Sequence, residues 1–164
     1  MGRVARPARG TPAAVESALR EVELDAELDA PFDTLSAGQR QRGALARALA
    51  QLAGDDVPLA AQAIVADEPI SAMDPRHAVA SMELLRAQAR RGRCVVAVLH
   101  DLTAAARFAD DALVLDAEGR VAASGPAVDV LVPGVLRGVY GIGFERLGGG
   151  RGEDSALVPT SPGR

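Results

Sequence analysis

Ala63-Ile64-Val65-Ala66-Asp67-Glu68-Pro69 and Cys94-Val95-Val96-Ala97-Val98-Leu99-His100-Asp101 are the two runs that decide the fold. Each is a short apolar stretch that ends in polar residues, the pattern of a buried strand. Between them Asp74-Pro75 is a good helix start, and Val79, Met82, Leu84 and Leu85 recur at helical spacing, with Met82 expected in the core. Gly92 suits the position just past the helix end. Strand, helix and strand make one βαβ unit, whose crossover should be right-handed. The continuous second run predicts a central strand of a parallel sheet, covered on both faces. On that reading Cys94 is a small core residue. Ligands of open α/β sheets bind beyond the carboxyl ends of the strands. Asp67, Glu68 and His100 are therefore expected at one rim. Position alone leaves open that the acidic residues are loop residues or caps.

Working upstream, Leu35-Ser36-Ala37-Gly38-Gln39-Arg40-Gln41-Arg42 fits a capping box, Ser36 with Gln39, and predicts a helix from Ala37. Leu45, Ala48, Leu49 and Leu52 continue it, and Gly54-Asp55-Asp56 ends it. Thr11-Pro12 opens an earlier helix carrying Val15, Leu19 and Val22. An acidic linker, Asp25 to Asp33, joins the two, and Met1 to Gly10 reads as a loop. Downstream, a helix is expected from Leu102 to Ala109. A hairpin follows, Ala112 to Asp116 and Arg120 to Ala123, around Glu118-Gly119. Two short helices come after Gly125-Pro126. Gly148 to Gly152 is expected to be flexible, and Ala156 to Val158 to form a last edge strand.

The chain has 164 residues, enough for one domain with a core. It is 48% hydrophobic but only 2% aromatic, so that core is built of Ala, Val and Leu. A net charge of −4 gives a nucleic-acid partner no support. Arg40, Arg42 and Arg47 are accordingly expected on a solvated helix face. His77 is expected to be exposed, and Asp110-Asp111 to be a cap or turn pair rather than a metal site. One cysteine excludes an internal disulfide framework and fits a reducing compartment. No run approaches the ~18 apolar residues of a membrane span. The N-terminus has no apolar core of a secretory signal, so a cytoplasmic location is expected.

Taken in order, the Leu35–Gln39 run, the strand ending Asp67-Glu68-Pro69, Ser71-Ala72-Met73-Asp74 and the strand ending His100-Asp101 resemble the C-terminal half of an ABC-type ATPase. They correspond to its signature loop, Walker B strand, D-loop and switch histidine. The resemblance runs from about Thr11 to Tyr140. It implies a partial P-loop NTPase fold: α/β, mostly parallel sheet flanked by helices, with part of the helical signature subdomain. Residues 1–55 would hold the signature part, 56–146 the Walker B, D-loop and switch-histidine half, and 147–164 a tail. It implies ATP and Mg2+ as ligands. Asp67 would hold the metal, Glu68 would act as general base, and His100 would sense the γ-phosphate. Ser36, Gly38 and Gln39 would face ATP held by a second ATPase subunit, and Asp74 would lie at the dimer seam. Ala37 stands where glycine is commonest, and Met73 where leucine is usual. The runs Asp67–His77 and His100–Asp110 resemble importers of the iron–siderophore, haem or cobalamin type. Their ATPase pair sits under a transmembrane permease at the inner face of the membrane.

A phosphate loop of the form G-x-x-x-x-G-K-[S/T] needs a lysine, and all 18 basic residues of this sequence are arginine. The expectation is that these residues alone do not hydrolyse ATP, and that the lysine-bearing half lies in a longer gene product or on another chain. An unpaired sheet edge and exposed apolar surface are expected to result. The alternative function is a non-catalytic module that docks on a complete ABC ATPase. A DNA-repair or chromosome-associated ATPase head is a third reading, but no sustained heptads accompany the motifs.

Overall fold

The computed structural model describes residues 11–53, 57–148 and 155–160. The expectations for Met1 to Gly10 and Gly54 to Asp56, and that for Gly148 to Gly152 apart from Gly148 itself, lie outside them. The chain divides into two compact units, residues 1–98 and 99–164. Both are α/β, the class expected from the sequence.

In the first unit, helix α1 (Pro12–Glu21) starts where Thr11 Oγ1 accepts the Ala14 N–H. Helix α2 (Ala37–Leu52) starts at the expected capping box, with Ser36 Oγ accepting from Gln39 N at 3.2 Å and Gln39 Oε1 accepting from Ser36 N at 2.9 Å. Strand β1 (Ala63–Asp67), helix α3 (Pro75–Arg90) and strand β2 (Cys94–Val98) form the βαβ unit, with β1 and β2 parallel. Asp74 caps α3 and Pro75 fills its first turn. Gly92, at φ +99°, lets the chain leave α3 in a left-handed conformation that L side chains avoid. The core gathers Leu24, Leu45, Leu49, Ile64, Met82 and Leu85; of the residues read at helical spacing, Val15 and Val79 are exposed instead.

Two expectations fail here for one reason. The register pairs Ala63 with Cys94, Val65 with Val96 and Asp67 with Val98, so these six residues share one face. All six are exposed, Val65 to 75%. Strand β2 is thus covered on one face rather than two, and Cys94 is a surface residue. An apolar run shows that a strand can be buried on both sides; it does not supply the second covering layer.

The second unit begins with helix α4 (Leu102–Phe108), capped by Asp101 through its Oδ1 and the Ala104 N–H. Strands β3 (Asp111–Leu115) and β4 (Val121–Pro126) form the expected hairpin. At its tip Asp116 accepts the backbone N–H groups of Arg120 and Glu118, and these hold its carboxyl below the usual aspartate range, Arg120 foremost. Asp110 accepts the Ala127 N–H through its carbonyl, and Asp111 opens β3. Helices α5 (Ala127–Val130) and α6 (Pro133–Tyr140) follow, as expected. Strands β5 (Gly143–Leu147) and β6 (Ala156–Thr160) pair antiparallel. Val114, Ala127, Val130, Leu131, Leu136 and Leu157 make one cluster. The parallel sheet among the described residues is the β1–β2 pair; the other two strand pairs are antiparallel.

Leu85 is 1% exposed and Val65 75%. In chemical denaturation of the chain, Leu85→Ala should cost about 2–5 kcal/mol. Val65→Ser should stay within about 0.5 kcal/mol. Equal costs would overturn the one-sided placement of the β1–β2 pair.

Candidate functional site

In the first unit the start of α2 touches the loop that leaves β1, which carries Glu68 and Asp74. Asp67 is the last residue of β1, exposed and paired with Val98. Glu68 follows, half-buried, with φ +46°, a conformation uncommon for a residue with a Cβ. Its N–H donates to Val98 O at 3.0 Å. The end of β1 is thereby bent away from the ladder while its backbone stays tied to β2.

Gln41, on the second turn of α2, reaches this loop. Its Nε2 donates to Glu68 O at 3.0 Å and to Ser71 Oγ at 2.8 Å, and its Oε1 accepts the Ala72 N–H at 2.9 Å. Gly38 lies against the same loop, close enough that a Cβ added there would stand 2.9 Å from Ala72 O. Ser36 is exposed, and Gln39 is held both by the capping box and by its Nε2 donating to Glu27 Oε1 at 3.0 Å. Ala37 is the first residue of α2 and its φ is not positive, so the exchange of glycine for alanine leaves the turn intact. A helix's first turn presents N–H groups without intrahelical acceptors and the positive end of its dipole, an environment suited to an anion.

The other end of the loop is Asp74. Its Oδ1 accepts the His77 N–H at 3.1 Å, and its Oδ2 lies 2.5 Å from His77 Nδ1. His77 is therefore half-buried and engaged, against the expectation of an exposed side chain. Its Nε2 stands 3.9 Å from Glu23, which also pairs with Arg76 at 2.8 Å. Glu23 has φ +55° and is held from behind by Arg42, whose Nη1 donates to Val22 O at 2.8 Å and Glu23 O at 3.0 Å. Arg42 is buried, which corrects its assignment to a solvated face; Arg47 is exposed. Met73 accepts from Ser81 Oγ through sulfur at 3.3 Å. Gln41 and the Arg42–Glu23 link carried no role in the sequence reading. A Gln or Arg inside an α-helical run announces nothing until its tertiary neighbour is known.

His100 opens the second unit, exposed, two residues beyond β2 and one before the Asp101 cap of α4. Ser36, Gly38, Gln39, Asp67, Glu68 and Asp74 thus all lie in the first unit, with Gly38 against the 68–74 loop, and His100 belongs to the second. Among the described residues no group of three or more His, Cys, Asp or Glu could hold a metal ion. A magnesium ion does not need such a cage. It keeps several waters and is bound through one or two carboxylates plus substrate phosphates, which an exposed strand-end aspartate such as Asp67 fits.

No family model matches the chain. It is 45% identical over 128 residues to the hemin import ATP-binding protein HmuV of Rhodococcus jostii, covering 78% of this chain and 41% of that one. The chain belongs to the ATP-binding proteins of ABC transporters. A solved inward-facing metal-chelate type ABC transporter superimposes with a TM-score of 0.75 at 22% identity, covering 98% of this chain and 61% of that one. A dimeric ATP-binding cassette bound to ADP and phosphate superimposes with a TM-score of 0.61 at 30% identity, covering 77% of this chain and 51% of that one. The chain spans about half the length of the curated ABC relatives it matches. Among the described residues no helix is long and apolar enough to cross a membrane.

Two measurements check this geometry. Glycine to alanine within a helix ordinarily stabilises by up to about 1 kcal/mol. Gly38→Ala should instead destabilise the chain by about 1–3 kcal/mol, because the new methyl meets backbone; a stabilised variant in chemical denaturation would refute the close approach. Asp74 is held below the usual aspartate range by the side-chain hydrogen bond to His77 and then by the His77 N–H. A depressed carboxyl contributes its stabilisation above the ordinary value near ~3.9 and loses it as pH falls through the lower folded value. His77→Ala should raise the Asp74 titration toward ~3.9, read by carbon NMR of the carboxyl. An unchanged titration would show that the ring is not the cause.

Proposed function

We propose that this chain supplies the signature and general-base half of an ABC importer ATPase that drives uptake of haem or a related iron complex. The observation that supports this is the joining of the α2 N-terminus to the loop carrying Glu68 and Asp74, in a chain 45% identical to a hemin import ATP-binding protein. In this reading residues 1–55 are the signature part, 56–146 the half with the catalytic carboxylate, and 147–164 a tail.

Each residue then has a task that its surroundings suit. Asp67 holds a hydrated magnesium, which supplies charge neutralisation to the triphosphate when bound. Glu68 takes a proton from the attacking water; a positioned base of this kind is worth about 10²–10⁴ in rate. His100 binds the γ-phosphate. Ser36, Gly38 and Gln39 present the first turn of α2 to ATP on a second ATPase subunit, and Asp74 lies at the seam between the two. The assembly works at the cytoplasmic face of the membrane, under a transmembrane permease, and takes no nucleic acid. The triphosphate grip comes from a lysine-bearing loop outside these 164 residues, which contain no lysine. The same absence favours a second reading, in which the chain docks on a complete ABC ATPase as a non-catalytic module.

The test is an ATPase assay with magnesium. The purified chain alone should be inactive. Mixed with the phosphate-loop half of the Rhodococcus jostii relative it should hydrolyse ATP, and Glu68→Gln should lower that rate by about 10²–10⁴. Activity of the chain alone that vanishes in Glu68→Gln would overturn the need for an external loop. A chain that only raises or inhibits the ATPase of the intact relative, with no effect of Glu68→Gln, would establish the second reading.

A further inference from the structure

We propose that Gln41 is a positioning residue that fixes the backbone of Glu68 and so sets the direction of its carboxylate; the catalytic part of this inference rests on the function proposed above. Glu68 sits at φ +46°, where a side chain crowds its own backbone and a residue persists only if its surroundings hold it. Its two backbone polar groups are anchored to different elements. The N–H donates to Val98 O on β2 at 3.0 Å, and the carbonyl accepts from Gln41 Nε2 on α2 at 3.0 Å and, within the loop, from the Ser71 N–H at a longer 3.3 Å. With both peptide groups of one residue fixed, the direction of its Cα–Cβ bond is fixed too. Gln41 supplies the carbonyl's shortest bond and the one that comes from outside the loop, and so helps to set where the Glu68 side chain starts.

The chemistry of the clamp calls for glutamine. The other Nε2 hydrogen goes to Ser71 Oγ at 2.8 Å, Ser71 Oγ passes its own hydrogen to Glu68 O at 3.2 Å, and Gln41 Oε1 accepts the Ala72 N–H at 2.9 Å. Two donors and one acceptor at the end of a three-carbon stem are what this position uses. Glutamate supplies no donor at neutral pH, and asparagine is one methylene short. Gly38, one turn earlier, lets α2 approach Ala72 closely enough for that reach. The contacts join the turn that would face one nucleotide to the residue that would activate water at another, so displacement of either moves both.

The test uses Gln41→Met, which keeps the length and loses every hydrogen bond, and Gln41→Glu, which keeps an acceptor for Ala72 but no donor for Glu68. The first readout is NMR of the 164-residue chain. A positive φ brings a residue's amide and Hα hydrogens close and gives a strong intraresidue cross-peak. Glu68 should show that peak in the unaltered chain and lose it in both variants. The Ala72 amide should exchange about tenfold faster in Gln41→Met and nearly normally in Gln41→Glu. The second readout is ATPase of the chain mixed with the phosphate-loop half of the relative. Gln41→Met should lower kcat by about 10²-fold with the KM for ATP within about twofold, because a misaimed base costs rate and not ground-state binding. If Gln41→Met does not fold, Gln41→Glu carries the test. A Glu68 cross-peak that survives in the variants overturns the inference, and so does an unchanged kcat or a rise in KM alone. An unaltered mixture without ATPase overturns the proposed function instead, and the NMR readout still decides whether Gln41 holds Glu68.

Discussion

The constraint on which the site depends is that one helix terminus must be closed and open at once. The first turn of α2 has its Ser36 and Gln39 side chains spent on each other, which fixes the start of the helix. The next turn sends Gln41 out to a loop of the βαβ unit. Neutral hydrogen bonds contribute about 0.5–1.5 kcal/mol each, and a residue in a sparsely populated backbone region costs about 1–3 kcal/mol. The three bonds of the Gln41 carboxamide are therefore of the size needed to offset the conformation of Glu68. One such bond covers only the low end of that cost, and the carboxamide holds the loop at Glu68, Ser71 and Ala72 together.

The same economy governs the charges. A chain with 22 acidic and 18 basic residues and no lysine has only guanidinium groups with which to make cationic contacts. A guanidinium is a planar fork that can serve several acceptors from one side chain. Arg42 turns one end of its guanidinium inward, Nη1 donating to two consecutive carbonyls, and so holds the left-handed turn at Glu23. Glu23 in turn meets Arg76 and stands near His77, and His77 meets Asp74. The chain from α2 through Glu23 to the start of α3 runs parallel to the one through Gln41. Both ends of the 68–74 loop are tied back, directly or at one remove, to the same helix.

What the sequence made legible follows from this. Helix starts are local events, so Thr11, Ser36 and Asp74 could be read as helix starts from their neighbours and are caps in the structure. The motif order located Asp67, Glu68 and the 71–74 loop because strand ends and their loops are also local. That some apolar surface would be exposed was legible; that it would be this face of β2 was not, since Cys94 and Val96 carry no mark of whether a layer will cover them. Arg42 and His77 were misplaced for the related reason that a polar side chain on a helix looks solvated until a carbonyl or carboxylate from elsewhere is brought to it. Gln41 lay in plain view within the motif. Its partners are 27 to 31 residues away in sequence, beyond any spacing rule.

The sign of the charge at the strand end sets what a nucleotide would need there. Asp67, Glu68 and Asp74 are all carboxylates on one short segment, and two unit charges 4 Å apart repel by about 1 kcal/mol in water and about 4 kcal/mol near a protein surface. Such a segment does not attract a triphosphate by itself. It becomes a nucleotide site only when a divalent cation stands between carboxylate and phosphate and when donors converge on the phosphate from another direction. The helix terminus at Ser36 is a source of donors, but the α2 it opens is fastened by Gln41 to the acidic loop of its own chain. An element fastened in that way can move toward a phosphate only by carrying Glu68 with it. The proposed arrangement, in which each α2 serves the nucleotide of a second subunit, turns this fastening from an obstacle into a link between sites: closure on one triphosphate adjusts the base that acts on the other.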